Sequence, residues 1–317
     1  MMLISRAEEF HTDDLYLDLY PVLGTPLVLK HEGFNFAGSV KLKPAVAMVT
    51  AAEDAGLLRP GATLVESSSG NLGVALSAVA ASRGYRFVCV TDVRCNEVMR
   101  RQILALGAVV EVVSEPDPRT GLVGARTRRV RELRESEGYV WLNQYDNPSN
   151  WSSHLHSTGP EIAKHWPDLD VLVVGVGTTG TLTGCARYFR ETRPETRIIA
   201  VDAVGSTLFG GPPAPRWIPG LGNAIRPGIM DESVVDEVVM VDEVDTVRMC
   251  RRLASSGYLL GGSTGTVVSG AQSWVRRNRP DGPVVAVSPD TGVPYLDTVY
   301  ADDWVHRTYG GDTLTAP

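Results

Sequence analysis

Short apolar runs alternate with longer stretches of helical period along this chain. Residues 63–66, 87–91, 109–113, 171–174, 198–201 and 284–287 are strand-length segments rich in valine and isoleucine. Between them lie helix-like stretches, among them 42–55, 74–81, a run ending near Glu191, and 267–277. Strand and helix in alternation predict an α/β chain with parallel sheets, because each parallel crossover needs a helix-length connection. A chain of 317 residues is long enough for two such units. The polar break at Asn147-Pro148 is where we expect them to divide, into 1–147 and 148–317.

Composition narrows the class. The hydrophobic share of 43% supports a sizeable core. A formal net charge of -7 and the lack of a basic tail argue against a nucleic-acid partner. The run 129–134 is charged but interrupted by acids, which reads as a solvated helix face. No apolar run is long enough to span a bilayer and no basic, apolar leader opens the chain, so the expectation is a cytoplasmic protein without a membrane partner. Cys89, Cys95, Cys185 and Cys250 show no CxxC spacing and read as buried thiols rather than disulfides or metal ligands. His154 and His156 lie two apart, on different faces of a helix, and no metal site is expected. The Gly210-Gly211-Pro212-Pro213 stretch predicts a mobile loop.

Candidate chemistry begins at Lys41. The chain has four lysines, Lys30, Lys41, Lys43 and Lys164, and Lys41 stands where Asn35-Phe36-Ala37-Gly38-Ser39-Val40 gives way to the helical run 42–55. The positive end of a helix and partial removal from water would both lower the pKa of an amine placed there, suiting it to attack an aldehyde. A solvated lysine in a first helical turn is the plainer reading.

Three polar loops follow. Ser67-Ser68-Ser69-Gly70-Asn71-Leu72-Gly73 joins a strand to an apolar helix and gathers hydroxyls and a helix N-terminus around one point, as a carboxylate or phosphate requires, although a capping loop would look similar. Gly175-Val176-Gly177-Thr178-Thr179-Gly180-Thr181 follows the run 171–174. Its threonines suit a compact phosphate, but its glycine spacing also fits a dinucleotide-binding fold, with Asp202 as the ribose-binding acid. That alternative, an NAD-dependent dehydrogenase, leaves Lys41 and the serine loop without a role. The fourth segment, Gly261-Gly262-Ser263-Thr264-Gly265, either caps the next helix or offers Ser263 to a ring nitrogen.

Taken in order, Gly38-Ser39-Val40-Lys41, Ser68-Ser69-Gly70-Asn71-Leu72-Gly73, Gly177-Thr178-Thr179-Gly180-Thr181 and Gly262-Ser263-Thr264-Gly265 resemble the cysteine synthase and cystathionine beta-synthase family, pyridoxal-phosphate enzymes of fold type II. The likeness continues through Gln144-Tyr145-Asp146-Asn147-Pro148, Ser157-Thr158-Gly159-Pro160-Glu161-Ile162 and Ile218-Pro219-Gly220-Leu221-Gly222 and so covers nearly the whole chain. It implies two tryptophan synthase beta-like α/β domains, with part of 12–35 crossing to the larger one, the cofactor in the cleft between them, and a homodimer. Pyridoxal 5'-phosphate would be carried on Lys41, its ring oxygen contacted by Asn71, its phosphate held by Gly177, Thr178, Thr179, Gly180 and Thr181, and its pyridine nitrogen faced by Ser263. Ser68, Ser69, Gly70 and Gln144 would hold the substrate carboxylate, and Gly220 to Asn223, including Gly222, would close over it.

The implied reaction is replacement of a leaving group on the β carbon of an amino acid, through an aminoacrylate, with Lys41 as the base for the α proton. The ordinary cysteine synthase loop is Thr-Ser-Gly-Asn-Thr-Gly; here Leu72 removes a hydroxyl. The variant loop is similar to a siderophore-forming branch that joins O-phospho-L-serine and L-glutamate into N-(2-amino-2-carboxyethyl)-L-glutamate, a precursor of 2,3-diaminopropionate for siderophores or peptide antibiotics. Cysteine synthesis from O-acetylserine or O-phosphoserine with sulfide, serine or threonine dehydration, and a silent regulatory relative are the competing outcomes. Two acidic substrates on an acidic chain need local cations, and Arg216 and Arg226, which flank the proposed closing loop, are the candidates for substrate binding.

Overall fold

The computed structural model describes residues 3–118, 120–310 and 313. Its strands are β1 (Tyr16–Asp18), β2 (Val28–His31), β3 (Thr63–Ser67), β4 (Arg86–Asp92), β5 (Val109–Val113), β6 (Val140–Trp141), β7 (Val171–Gly175), β8 (Arg197–Ala203), β9 (Glu237–Val241) and β10 (Val284–Ser288). The α-helices are α1 (Tyr20–Leu23), α2 (Leu42–Asp54), α3 (Asn71–Arg83), α4 (Glu97–Ala105), α5 (Gly121–Glu137), α6 (Pro148–His156), α7 (Thr158–His165), α8 (Gly180–Thr192), α9 (Glu243–Ser255), α10 (Gly262–Asn278) and α11 (Asp302–Tyr309).

Two sheets form. The smaller runs β5-β4-β3-β6 and is parallel throughout. The larger runs β1-β2-β10-β7-β8-β9, parallel except where β1 meets β2. All six predicted strands are present. β3, β7 and β10 are buried along nearly their whole length, as continuous apolar runs between covering helices require.

The chain crosses between the layers at both ends. β1 and β2 precede every strand of the small sheet yet belong to the large one. In return, Tyr295, Val299 and Val305, late in the chain, pack into the core under α2 and α3 with Met48, Leu76 and Ile103. A second core lies between α10 and one face of the large sheet around Val173, Val201 and Trp274, and a third on the opposite face around Ile162, Leu182 and Phe189. This interlacing leaves the carboxyl ends of β3, β7 and β10 facing one cleft, the usual position for ligands in open α/β sheets.

Helix starts differ from the sequence expectation at three places. α3 begins at Asn71, α8 at Gly180 and α10 at Gly262, inside the motif loops rather than after them. The Ser68 hydroxyl accepts from Gly70 N at 3.3 Å and Gly73 N at 2.9 Å and so nucleates the first turn of α3.

Candidate active site

The cleft has a volume of about 950 Å³. Lys41 enters its wall as the residue just before α2, at the positive end of that helix. Burial holds the Lys41 amine below its ordinary range, and the nearby Asp290 carboxylate opposes that shift. Asp290 is itself 1% exposed at the end of β10, and burial raises its carboxyl. Its Oδ2 accepts from Asn71 Nδ2 at 3.0 Å and from the Tyr295 hydroxyl at 2.5 Å, while Oδ1 has no partner. Tyr295 also faces Ser263. A buried acid thus ties together Lys41, Asn71 and, through Tyr295, Ser263.

The glycine and threonine loop after β7 forms the opposite wall. A Cβ at Gly177 would lie 2.7 Å from Gly220 O and one at Gly180 would lie 2.1 Å from Asn150 Oδ1, so both positions require glycine. Thr179 adopts φ 71°, an uncommon conformation for threonine, and its buried hydroxyl has no partner. Asn150 Nδ2 donates to Thr178 Oγ1 at 3.2 Å. These loop residues lead into α8, whose first turn supplies free N–H groups. A strained, unpartnered hydroxyl beside a helix N-terminus fits a phosphate monoester, and the Lys41 amine in the same cleft, its pKa lowered by burial, fits the aldehyde of the same molecule.

Ser68, Ser69, Gly70, Gln144, Ser263, Gly220, Gly222 and Arg216 all line the cleft. Gln144 is positioned by its Nε2 bond to Ser67 O at 2.8 Å, and its backbone N–H donates to Glu66 Oε2 at 3.2 Å. The Ser68 hydroxyl is committed to its own loop, as described above. Gly220 and Gly222 both have positive φ, and a Cβ would meet Ser263 Oγ and Arg216 Nη1 respectively, each at 2.1 Å. The strap carrying them is held by Glu243, which accepts from the N–H groups of Trp217 and Ile218. Arg216 Nη1 donates to Leu221 O at 2.9 Å, and its Nε is buried without a partner.

Arg226 is placed elsewhere. It is exposed, ion-paired to Glu232, and outside the cleft lining. Asp202, the ribose-binding acid of the dinucleotide alternative, is also outside the lining; it is fully buried and accepts from Ala203 N at 2.8 Å. Among the described residues no group of histidine, cysteine or acidic side chains is placed to hold a metal. Cys89, Cys185 and Cys250 are buried free thiols as expected, and Cys95 is partly buried. No helix among the described residues is long and apolar enough to cross a membrane.

Three functional candidates escaped the sequence reading. Asp290 could have been suspected as an acid at the end of the apolar run 284–287. Arg126, on α5, lines the cleft at 4% exposure; its Nη1 lies 2.8 Å from Asp92 Oδ2, and its Nε has no partner. Arg94 also reaches the cleft, its guanidinium 5.9 Å from the Trp217 ring centre.

Residues 16–290 match the pyridoxal-phosphate dependent enzyme family, and the chain belongs to it. It is therefore a pyridoxal-phosphate enzyme, with the loops above as the residues suited to hold that cofactor. Two relatives, each 40% identical, are N-(2-amino-2-carboxyethyl)-L-glutamate synthases, from Ralstonia nicotianae (91% of this chain, 86% of the relative) and Cupriavidus metallidurans (88% and 83%). Among solved structures, an O-ureido-L-serine synthase is 35% identical with a TM-score of 0.87, covering 97% of this chain and 96% of its own. An O-acetylserine dependent cystathionine beta-synthase from Helicobacter pylori is 27% identical with a TM-score of 0.86, covering 95% and 100%.

Proposed function

We propose that this enzyme joins O-phospho-L-serine and L-glutamate, releasing phosphate and forming N-(2-amino-2-carboxyethyl)-L-glutamate. The observation that carries the reading is a cationic wall in the cleft, buried Arg126 with half-buried Arg216 and exposed Arg94, in a chain that is 40% identical to two synthases named for that product. Bound pyridoxal phosphate would act as an electron sink that eases loss of the α proton and of the β substituent.

The protein's own groups supply the rest. Lys41 Nζ would hold the cofactor and, once displaced by the amino group of the substrate, would take the α proton; burial, which lowers its pKa, favours the neutral form that this needs. Gln144 and the N–H groups at the start of α3 would orient the substrate carboxylate, and the threonine loop would anchor the cofactor phosphate. Ser263, a neutral hydroxyl at 2% exposure, would meet the pyridine nitrogen without keeping it protonated, which favours expulsion of a β group over transamination. The guanidiniums would hold the acidic groups of the two substrates through forked hydrogen bonds. Arg226 takes no part, and a homodimer and a cytoplasmic location complete the reading.

Phosphate release from O-phosphoserine by the cofactor-loaded enzyme tests this. It should accelerate when L-glutamate is added and vanish in Lys41→Ala with the fold retained. Release that yields pyruvate at the same rate with or without glutamate would favour the dehydratase outcome.

A further inference from the structure

Behind the threonine loop runs a buried line of polar groups that the reaction scheme does not use. Thr181, in the first turn of α8 at the cleft wall, has its Oγ1 3.2 Å from His154 Nε2. His154 Nδ1 lies 3.0 Å from Thr158 Oγ1, and Lys43 Nζ donates to that same oxygen at 3.2 Å. His154 and Thr158 are both 0% exposed. Lys43 is held in turn by Glu161 Oε2 at 2.8 Å and Glu32 Oε2 at 3.1 Å, and Lys30 lies 2.9 Å from Glu161. Two lysines and two glutamates balance one another, so the far end of the line is fixed in place and carries little net charge.

The direction of each bond follows from donor and acceptor chemistry. An ammonium only donates, so Thr158 Oγ1 accepts from Lys43 and its single proton is free to go to His154 Nδ1. Burial, reinforced by Lys43 and Lys41, keeps the His154 imidazole neutral, which leaves one N–H, on Nε2. That N–H donates to Thr181 Oγ1. Accepting that bond leaves the Thr181 hydroxyl's own proton free to point into the cleft.

We propose that His154 is a positioning residue: a relay from Lys43 through Thr158 and His154 fixes the Thr181 hydroxyl as an obligatory donor to the cofactor phosphate. The relay favours an unprotonated phosphate oxygen opposite Thr181, because a protonated one there would set a donor against a donor. It also connects Lys43, in the first turn of α2 and two residues from Lys41, to the phosphate anchor on α8. The inference rests on the assignment of the threonine loop to the phosphate.

The test uses the full-length enzyme loaded with pyridoxal phosphate and the variants Thr181→Val, Thr158→Val, His154→Leu and His154→Gln. Cofactor dissociation constants and the phosphorus NMR shift of the bound phosphate between pH 6 and 9 are measured, with thermal unfolding alongside. Thr181→Val should weaken retention about tenfold or more, the loss of a hydrogen bond to a charged acceptor. Thr158→Val leaves Thr181 untouched but removes the hydrogen bond that fixes the His154 tautomer, so retention and shift should both move part of the way toward the Thr181→Val values. His154→Leu should match Thr181→Val, with the double variant no worse than either single one, and His154→Gln, which can still donate to Thr181, should recover most of the affinity. Wild-type retention and shift in Thr158→Val, or additive losses in the double variant, would overturn the relay. Should His154→Leu fail to fold, the near-isosteric Thr158→Val decides the matter alone. A silent Thr181→Val would instead remove the phosphate-loop assignment itself, a result distinguishable from failure of the relay only.

Discussion

Replacing Arg126 by methionine separates a binding role from a structural one. The guanidinium is 4% exposed and its partner Asp92 5%, so the pair is desolvated as well as lining the cleft. Two losses should follow. An acidic substrate group loses a charged donor, worth roughly 1.5–3 kcal/mol, which corresponds to a rise of about tenfold or more in the KM of the substrate held there. Asp92 is left as a buried charge without a cation, a defect of about 3–5 kcal/mol in folding stability. The second loss is reversible by design: Arg126→Met combined with Asp92→Asn should regain much of the stability and none of the affinity. Steady-state phosphate release, with O-phosphoserine and glutamate varied in turn, reads the first effect, and urea unfolding reads the second. An unchanged KM for both substrates, beside lowered stability, would make Arg126 a scaffold residue and refute its assignment to the cationic wall.

Two further perturbations test the frame of the site. Burial pushes Glu66 up to about 7, even though the N–H groups of Ser67, Gln144 and Trp141 all donate to it. An unfolded-chain glutamate titrates near 4.3, so the folded state is favoured while this group is protonated and loses that advantage as pH rises from about 4.3 through 7, by roughly 4 kcal/mol. Unfolding free energies from pH 4 to 8 should therefore fall less steeply in Glu66→Gln than in the wild type; parallel curves would show that Glu66 carries no raised pKa. Gly220→Ala should lose about tenfold or more in kcat/KM, because its Cβ would lie 2.1 Å from Ser263 Oγ, and a displacement of this kind at a reacting centre is expensive. Gly24→Ala, also at positive φ but with nothing within 4 Å of the added methyl, is the control for backbone strain alone and should keep full activity.

The parts of the site that could be read in the sequence are those in which one short segment contains the whole device. Lys41 before a helical run, the glycine and threonine loop after an apolar strand, and Ser263 in the glycine-flanked first turn of α10 each announce themselves by local order. Asp290 and Asn71 are 219 residues apart and meet only because the end of β10 faces the start of α3. Arg126 lies just ahead of an arginine-rich stretch with the pattern of a solvated helix, and nothing in that pattern marks the one guanidinium that turns inward. Lys30 and His31 interrupt the apolar character of β2, which hid that strand, yet both are buried. Their polarity is answered by Glu161 and by Ser288, residues far along the chain. Arg226 illustrates the converse: sequence proximity to the strap suggested a ligand, while the fold gives it an exposed partner in Glu232.

The central claim is the identity of the nucleophile, and a competition measured by mass spectrometry addresses it. The loaded enzyme receives O-phosphoserine with equimolar L-glutamate and sulfide, and the products are quantified. N-(2-amino-2-carboxyethyl)-L-glutamate as the dominant product is the result predicted here; cysteine as the dominant product, with glutamate left unconsumed, would contradict it.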